Sequence, residues 1–117
     1  MITTLELNKI YNIDCLVGMT EIPDQSIDMI FVDLPYGVTA KNKWDIDLCR
    51  YAIRTYTNEG DTVLDCCCGS GSIPLAAMLE GRNYIGMDNG ICEKKNSKYC
   101  GWSWADVATD RIENHKE

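Results

Sequence analysis

Two short stretches of this chain place reactive residue types beside a turn. Residues 63–72 read VLDCCCGSGS, in which an acid, three cysteines and two glycines accompany an apolar run. Residues 27–37 read IDMIFVDLPYG, in which an aspartate and a tyrosine border a proline. The residue types of the first stretch are compatible with a metal site, a redox site or a cradle for a small molecule.

The spacing of the seven cysteines argues against a metal site. No two of them stand three positions apart, so the CxxC half-site of zinc and dithiol motifs is missing. Adjacent cysteines on an extended segment point to opposite faces, so residues 66–68 are not expected to hold one metal together. We therefore predict no metal, and we interpret the thiols as reduced, mostly buried apolar side chains.

The two glycines predict a ligand-binding turn between a strand and a helix. TVLD (62–65) has the composition of a buried strand, and SIPLAAMLEG (72–81) that of a helix closed by a glycine. Gly69 and Gly71 can adopt backbone angles that side chains forbid, and they leave room for the close approach of a ligand. An ordinary tight turn that binds nothing remains the alternative.

Two acids narrow the choice of ligand. Asp65 ends one predicted strand and Asp88 ends the next, NYIGMD (83–88), where an acid commonly accepts hydrogen bonds from a ribose. The series GSGSIP lacks the third glycine of a dinucleotide motif, and Asp65 would repel a pyrophosphate, so NAD binding has weak support. S-adenosylmethionine, with a ribose and two cationic groups, suits the acids better.

The rest of the chain alternates strand-like and helix-like segments. We predict strands at IYNID (10–14) and IDMIFVD (27–33), the second buried on both faces, and helices at 15–22, 48–57 and 102–113. Ser103 is the expected cap of the last helix, and the segment from Asn89 to Gly101 is expected to be a loop. Trp102 and Trp104 are expected in the core, with a partner surface as the alternative. This alternation predicts an α/β fold with a mainly parallel sheet.

Both reactive stretches resemble motifs of one family, the amino-group (N6-adenine or N4-cytosine) DNA methyltransferases. IDMIFVDLPYG resembles their catalytic motif, usually written (D/N/S)PPY, and DTVLDCCCGSGS resembles their cofactor motif, typically DxFxGSG. NYIGMD resembles the segment that ends in the ribose-binding acid, and WADVATDRIE resembles the closing helix. The catalytic motif comes first, as in the permuted beta subgroup, and its leading aspartate is more similar to adenine-N6 methylases.

The resemblance implies a Rossmann-like methyltransferase fold that is truncated to a mainly parallel four-stranded sheet flanked by helices. The implied strand order is IYNID, NYIGMD, TVLD, IDMIFVD, with the catalytic strand at the edge. Family members continue after a segment similar to VTAKNKWD with further strands and a target-recognition region, whereas here Trp44 and Asp45 run directly into IDLCRYAIRTYTNEGDTVLD, as after an internal deletion. On this resemblance, the present chain divides into a catalytic-motif part (1–37), an irregular junction (38–47) and a cofactor-binding part (48–117).

The resemblance also implies roles for individual residues. In the catalytic motif, the Asp33 carboxylate and the Leu34 carbonyl would accept the hydrogens of an exocyclic amine, while Pro35 stiffens the turn and Tyr36 stacks on a flipped base. Leu34 stands where the family has proline. The implied residues for S-adenosylmethionine are Asp65, Cys67, Gly69, Ser70, Gly71, Asp88 and Asp14, although Asp14 is equally well explained as a solvated acid at a strand end.

The implied function is that of the cofactor-binding domain of a site-specific DNA adenine-N6 methyltransferase, and a catalytically inactive remnant or half of a split enzyme is the alternative. The net charge of −7 provides no basic surplus for holding DNA unaided. An uncovered strand at 27–33 would favour a homo-oligomer or a partner chain. We expect a cytoplasmic protein without membrane contact, because no signal peptide or long apolar run is recognisable.

Overall fold

The computed structural model describes residues 5–32 and 43–115. Within these ranges the chain forms one four-stranded parallel sheet with four α-helices. The strands are β1 (Lys9–Tyr11), β2 (Met29–Ile30), β3 (Thr62–Asp65) and β4 (Asn83–Met87). The helices are α1 (Cys15–Gly18), which a 3-10 turn at Met19–Glu21 continues, α2 (Lys43–Tyr56), α3 (Ser72–Leu79) and α4 (Trp104–Glu113).

The strand order across the sheet is β1-β4-β3-β2, and all three pairings are parallel. This order confirms the predicted α/β fold and the predicted position of β2 at an edge. Asp65 of β3 stands opposite Gly86 of β4, and Ile30 of β2 stands opposite Leu64 of β3. Because the strands are parallel, their carboxyl ends all reach the same edge of the sheet.

Apolar side chains cover both faces of the central strands. On one face, Val63 packs in a cluster with Ile53 of α2, Leu75 of α3 and further residues of α3, β4 and α4. On the other face, Leu64 packs with Ile85 and other residues, among which Ile13, Cys15 and Ile22 come from the segment after β1. Val63 and Leu64 of β3 thus contact opposite layers, which explains why both of these successive residues are apolar.

The structure differs from the predicted elements mainly around β2 and α2. β2 is only two residues long, and Ile30 is 60% exposed, so the prediction that residues 27–33 are buried on both faces is wrong for this part of the strand. Its edge position explains the exposure, because β2 pairs with β3 on one side only among the described residues. α2 begins at Lys43, so residues 43–47 of the junction predicted to be irregular are helical.

The C-terminal helix matches its prediction more closely. α4 begins after Ser103, whose hydroxyl accepts a hydrogen bond from the Asp106 N–H, so the predicted cap is confirmed. Trp102 is 42% exposed, however, and the expectation that it lies in the core is wrong. It belongs to the turn before α4, where its ring meets the Tyr99 ring edge-on at 5.2 Å.

Two further predictions concern the catalytic motif and the absence of membrane contact. The catalytic-motif residues Asp33, Leu34, Pro35 and Tyr36 lie outside these ranges. No helix in residues 5–32 or 43–115 combines the length and the apolar character that crossing a membrane requires.

Candidate functional site

The candidate site lies at the edge of the sheet where β3 and β4 end. Asp65 is the last residue of β3, and Asp88 directly follows β4. Between Asp65 and the start of α3, the chain forms the glycine loop, which we define as residues 66–71. The structure therefore brings the two acids and the glycine loop together, as the order of the sequence motifs suggested.

The Asp88 carboxylate ties two loops together. Its Oδ2 accepts a hydrogen bond from the Gly69 N–H at 2.9 Å, and its Oδ1 accepts one from the Gly90 N–H at 2.8 Å. The Cys68 N–H donates to the Met87 carbonyl at 2.9 Å and continues the pairing of β3 and β4 into the loop. Each carboxylate oxygen can accept a further hydrogen bond, and Asp88 is only partly buried, so hydroxyl donors can still reach it.

Asp65 supports the glycine loop from within the fold. It is 2% exposed, and its Oδ1 accepts a hydrogen bond from the Cys67 N–H at 3.1 Å. Its negative charge also acts on the neighbouring thiol: burial, followed by the charges of Asp65 and Asp88, raises the pKa of Cys68 far above the ordinary range. Asp65 thus shapes the loop and its electrostatic potential while its own side chain is covered by protein.

The two glycines of the loop serve different purposes. Gly69 has φ +52°, and apart from its chain neighbours no atom of the described residues lies within 4 Å of the position that a Cβ would take. Gly71 has φ +86°, but a Cβ there would lie 2.6 Å from the Ala108 Cβ of α4. The expected room for a ligand therefore exists at Gly69, whereas at Gly71 the space beside the glycine is filled by α4.

Ser70 contacts an arginine that the sequence motifs did not single out. The Arg111 Nη1 donates to the Ser70 carbonyl at 2.7 Å and to the Ser70 Oγ at 2.8 Å. Burial lowers the pKa of Arg111, but a guanidinium stays protonated in proteins. One signal for Arg111 was present in the sequence, namely a basic residue in the last turn of a predicted helix. A basic residue at that position is normally explained by its favourable interaction with the helix dipole. In this fold the cation holds the glycine loop against α4.

Asp14 directly precedes α1 and caps its first turn. Its Oδ1 accepts a hydrogen bond from the Leu16 N–H at 3.0 Å, and its carbonyl accepts from the N–H groups of Val17 and Gly18. Its side chain is exposed and acts as a helix cap, which neither interpretation of this residue had included. Asp14 therefore has a structural role of its own, whatever it contributes to ligand binding.

Three cysteines lie together at this edge of the sheet. The Sγ atoms of Cys15, Cys66 and Cys67 are all within 4.8 Å of one another. The expectation that adjacent cysteines diverge is wrong here, because β3 ends at Asp65 and the next two residues form a turn. Cys67 is also exposed, as is Cys100, so the expectation of mostly buried thiols fails for both.

Comparison with known proteins gives matches to one group of enzymes. The model of a family described as DNA methylase, named for N6 and N4 methyltransferases, matches residues 42–97. Type II methyltransferase M.BglI of Bacillus subtilis is 40% identical over 75 residues, which are 64% of this chain and 20% of that protein. Type II methyltransferase M1.MboII of Moraxella bovis is 48% identical over 42 residues, which are 36% of this chain and 16% of that protein.

A solved structure was also found, that of an M1.HpyAVI–SAM complex. It is 28% identical and has a TM-score of 0.46, and the similarity covers 63% of this chain and 30% of the other. The matched part of this chain spans a fifth or less of the length of the two type II methyltransferases.

Proposed function

We propose that this chain, which is similar to amino-group DNA methyltransferases, is the S-adenosylmethionine-binding domain of a site-specific DNA adenine-N6 methyltransferase. The hydrogen bond between Asp88 and Gly69 supports this proposal most directly. It holds the loops after two adjacent strands in one arrangement, with open space at Gly69 and spare acceptor capacity on Asp88. Crevices of this kind, at the carboxyl ends of parallel strands, are where open α/β sheets bind ligands.

The residues present suit a ligand with a ribose and positive charge. The Asp88 oxygens would accept hydrogen bonds from the two ribose hydroxyls, and the backbone at Gly69 would lie against the ligand. The buried Asp65 carboxylate would favour positive charge beside the loop. Cys67, Ser70 and Gly71 complete the proposed binding loop, the last two by holding its shape against α4. When bound, S-adenosylmethionine supplies an electrophilic methyl group.

We assign the binding and orientation of the methyl-accepting amine to the segment that follows β2. Ile30 of β2 stands opposite Leu64 of β3, so the chain leaves β2 at the same edge of the sheet as Asp65. In the proposed reaction, the Asp33 carboxylate and the Leu34 carbonyl accept hydrogen bonds from the exocyclic amine, which directs the nitrogen lone pair toward the methyl group. As the nitrogen gains the methyl group it loses one proton, which passes to solvent, and the cofactor leaves as S-adenosylhomocysteine. Tyr36 stacks on the flipped adenine, and Pro35 restricts the turn. Adenine specificity rests on the aspartate at the head of this motif.

We further propose that the acting form contains more than one chain. The net charge of −7 is unfavourable for binding DNA phosphates unaided. Among the described residues β2 pairs on one side only, and Ile30 at that edge is 60% exposed. A second copy, or a chain that supplies further strands, would pair with this edge.

Calorimetric titration with S-adenosylhomocysteine tests the proposed cofactor site. The wild-type chain should bind, and Asp88→Ala should weaken binding by about tenfold or more, as expected for losing hydrogen bonds to a charged group. Asp47→Ala, which removes an exposed acid from α2, is the matched control and should bind like the wild type. If the wild-type chain does not bind S-adenosylhomocysteine, the only remaining interpretation is a catalytically inactive remnant.

Transfer of labelled methyl to DNA tests the proposed reaction separately. If the chain binds cofactor and labels adenine, Asp33→Ala should abolish labelling while S-adenosylhomocysteine still binds. Cofactor binding without any labelling, including in the presence of candidate partner chains, would contradict the enzymatic part of the proposal.

A further inference from the structure

The cluster of Cys15, Cys66 and Cys67 joins two parts of the chain that are far apart in sequence. Cys15 is the first residue of α1, and Cys66 and Cys67 form the turn after β3. β1 and β3 both pair with β4, so the segments that leave them meet beyond the end of β4. The three Sγ atoms lie within 4.8 Å of one another as a consequence of this topology.

The separations suit coordination of one metal ion. A tetrahedral site with Zn–S bonds of about 2.3 Å has sulfur atoms about 3.8 Å apart. The sulfurs here need to close by about 1 Å or less to reach that geometry, which rotations about the cysteine side-chain bonds can provide. Thiolates are the ligands that zinc, copper(I) and related thiophilic ions prefer.

The surroundings leave the cluster accessible from one side. Cys15 and Cys66 are partly buried, while Cys67 is exposed. An ion could therefore enter beside Cys67, and a water molecule could occupy the fourth coordination position. Asp65, directly before Cys66, adds a buried negative charge behind the turn.

Burial and the proximity of the three sulfurs oppose ionisation of these thiols. Burial, followed by the charges of Cys66 and Cys15, raises the pKa of Cys67 to about 11. Burial and the charge of Cys15 likewise raise the pKa of Cys66. Negative charge on one sulfur thus disfavours negative charge on the others, and a bound cation would relieve this repulsion.

We propose that Cys15, Cys66 and Cys67 form a three-thiolate site for a thiophilic divalent ion of the zinc and cadmium class. The site lies at the base of the glycine loop, but it does not depend on cofactor binding or on methyl transfer. Binding would link α1 to the turn after β3 and would stabilise the fold through mass action.

Titration of the full chain with Cd²⁺ under reducing, oxygen-free conditions tests this proposal. One equivalent should produce the ultraviolet absorption of thiolate-to-cadmium charge transfer, and Zn²⁺ should displace it at the same stoichiometry. A chromophoric chelator in competition gives the Zn²⁺ affinity. Cys67→Ser and Cys15→Ser should each lower the Zn²⁺ affinity by about 100-fold or more. Loss of a group that only supports a metal ligand already costs about 10–100-fold, and these variants remove a ligand itself.

Cys100→Ser is the matched control, because Cys100 is also exposed but does not belong to the cluster. It should retain wild-type stoichiometry and affinity. Thermal unfolding with and without Zn²⁺ provides a second readout, in which the metal should raise the midpoint of the wild type and of Cys100→Ser only. The absence of a stoichiometric charge-transfer band for the wild-type chain would overturn the proposal. Equal Zn²⁺ affinities for Cys67→Ser, Cys15→Ser and Cys100→Ser would also overturn it.

Discussion

The Asp88 carboxylate and the Gly69 N–H are joined by a hydrogen bond of 2.9 Å across the ends of two adjacent strands. This contact makes the position of the glycine loop dependent on an acid that follows β4. The same carboxylate accepts a hydrogen bond from the Gly90 N–H through its other oxygen, so one side chain positions the backbone of both the glycine loop and the loop after β4. Substitution of Asp88 is therefore expected to change both cofactor affinity and the geometry of the glycine loop.

Gly69→Ala should reduce cofactor affinity with little effect on the core. Its φ of +52° costs an alanine about 1 kcal/mol, and the new methyl group would point into the space assigned to the ligand. Gly60→Ala is the matched control, because Gly60 has φ +87° and equally open surroundings in the turn between α2 and β3. Thermal unfolding should show similar destabilisation of both, and calorimetry should show weaker S-adenosylhomocysteine binding by Gly69→Ala alone. Equal affinities would contradict the assignment.

Gly71→Ala should destabilise the fold much more than Gly60→Ala. In addition to the strain of φ +86°, its Cβ would lie 2.6 Å from the Ala108 Cβ, where α3 meets α4. Overpacking of this kind costs about 1–3 kcal/mol beyond the backbone strain. Denaturant unfolding of both variants measures the difference. Equal free energies of unfolding would show that α4 moves away at no cost, contrary to the packing described.

The stability of the chain should fall in acid partly through Glu80. Its Oε2 accepts hydrogen bonds from the Arg50 Nε at 2.6 Å and from the Arg54 Nη1 at 2.7 Å. Burial opposes ionisation, but the two guanidinium groups outweigh it and lower the pKa of Glu80. A lowered folded-state pKa contributes stability that is present above the unfolded value and is lost as the pH falls through the folded value.

Glu80→Gln should therefore lower the free energy of unfolding at neutral pH by about 1–3 kcal/mol and reduce its decline in acid. Denaturant unfolding at a series of pH values from neutral to acid measures both effects. Arg50→Met should also destabilise the chain at neutral pH, because Arg50 provides the shorter of the two bonds. A pH dependence that is identical for wild type and Glu80→Gln would contradict the link between α2 and the end of α3.

Ile30→Lys should reduce self-association. A charged side chain on an edge strand opposes pairing with another strand, and Ile30 is 60% exposed on β2. Ile91→Lys is the control, because Ile91 is 58% exposed but lies outside β2. Light scattering coupled to size-exclusion chromatography should show an oligomer for wild type and Ile91→Lys and a shift toward monomer for Ile30→Lys. A monomeric wild-type chain at high concentration would refute the proposed self-pairing.

Much of the fold could be predicted because its signals are local. The buried strand β3, the break at the glycine loop and the Ser103 cap each depend on a few consecutive residues, and the strand order came from the family resemblance. The exposure of Ile30 depends on which strand stands next to β2, which its own apolar composition does not reveal. Strand composition alone therefore overestimates burial at the edge of a sheet.

Contacts between distant segments account for the other differences. Gly71 carries the signature of a ligand loop, but its neighbour is Ala108, 37 positions later in the sequence. The approach of Cys15 to Cys66 depends on β1 and β3 flanking β4 and on the turn that begins at the end of β3. Both relationships require the assembled sheet, so spacing along the chain could not predict them.

A crystal structure of the chain soaked with S-adenosylhomocysteine tests the central claim most directly. We predict electron density beside Gly69, with the ribose hydroxyls within hydrogen-bonding distance of the Asp88 carboxylate. Density for the ligand at another place on the protein, or an undisturbed glycine loop with no ligand beside it at saturating concentration, would contradict the proposed cofactor site.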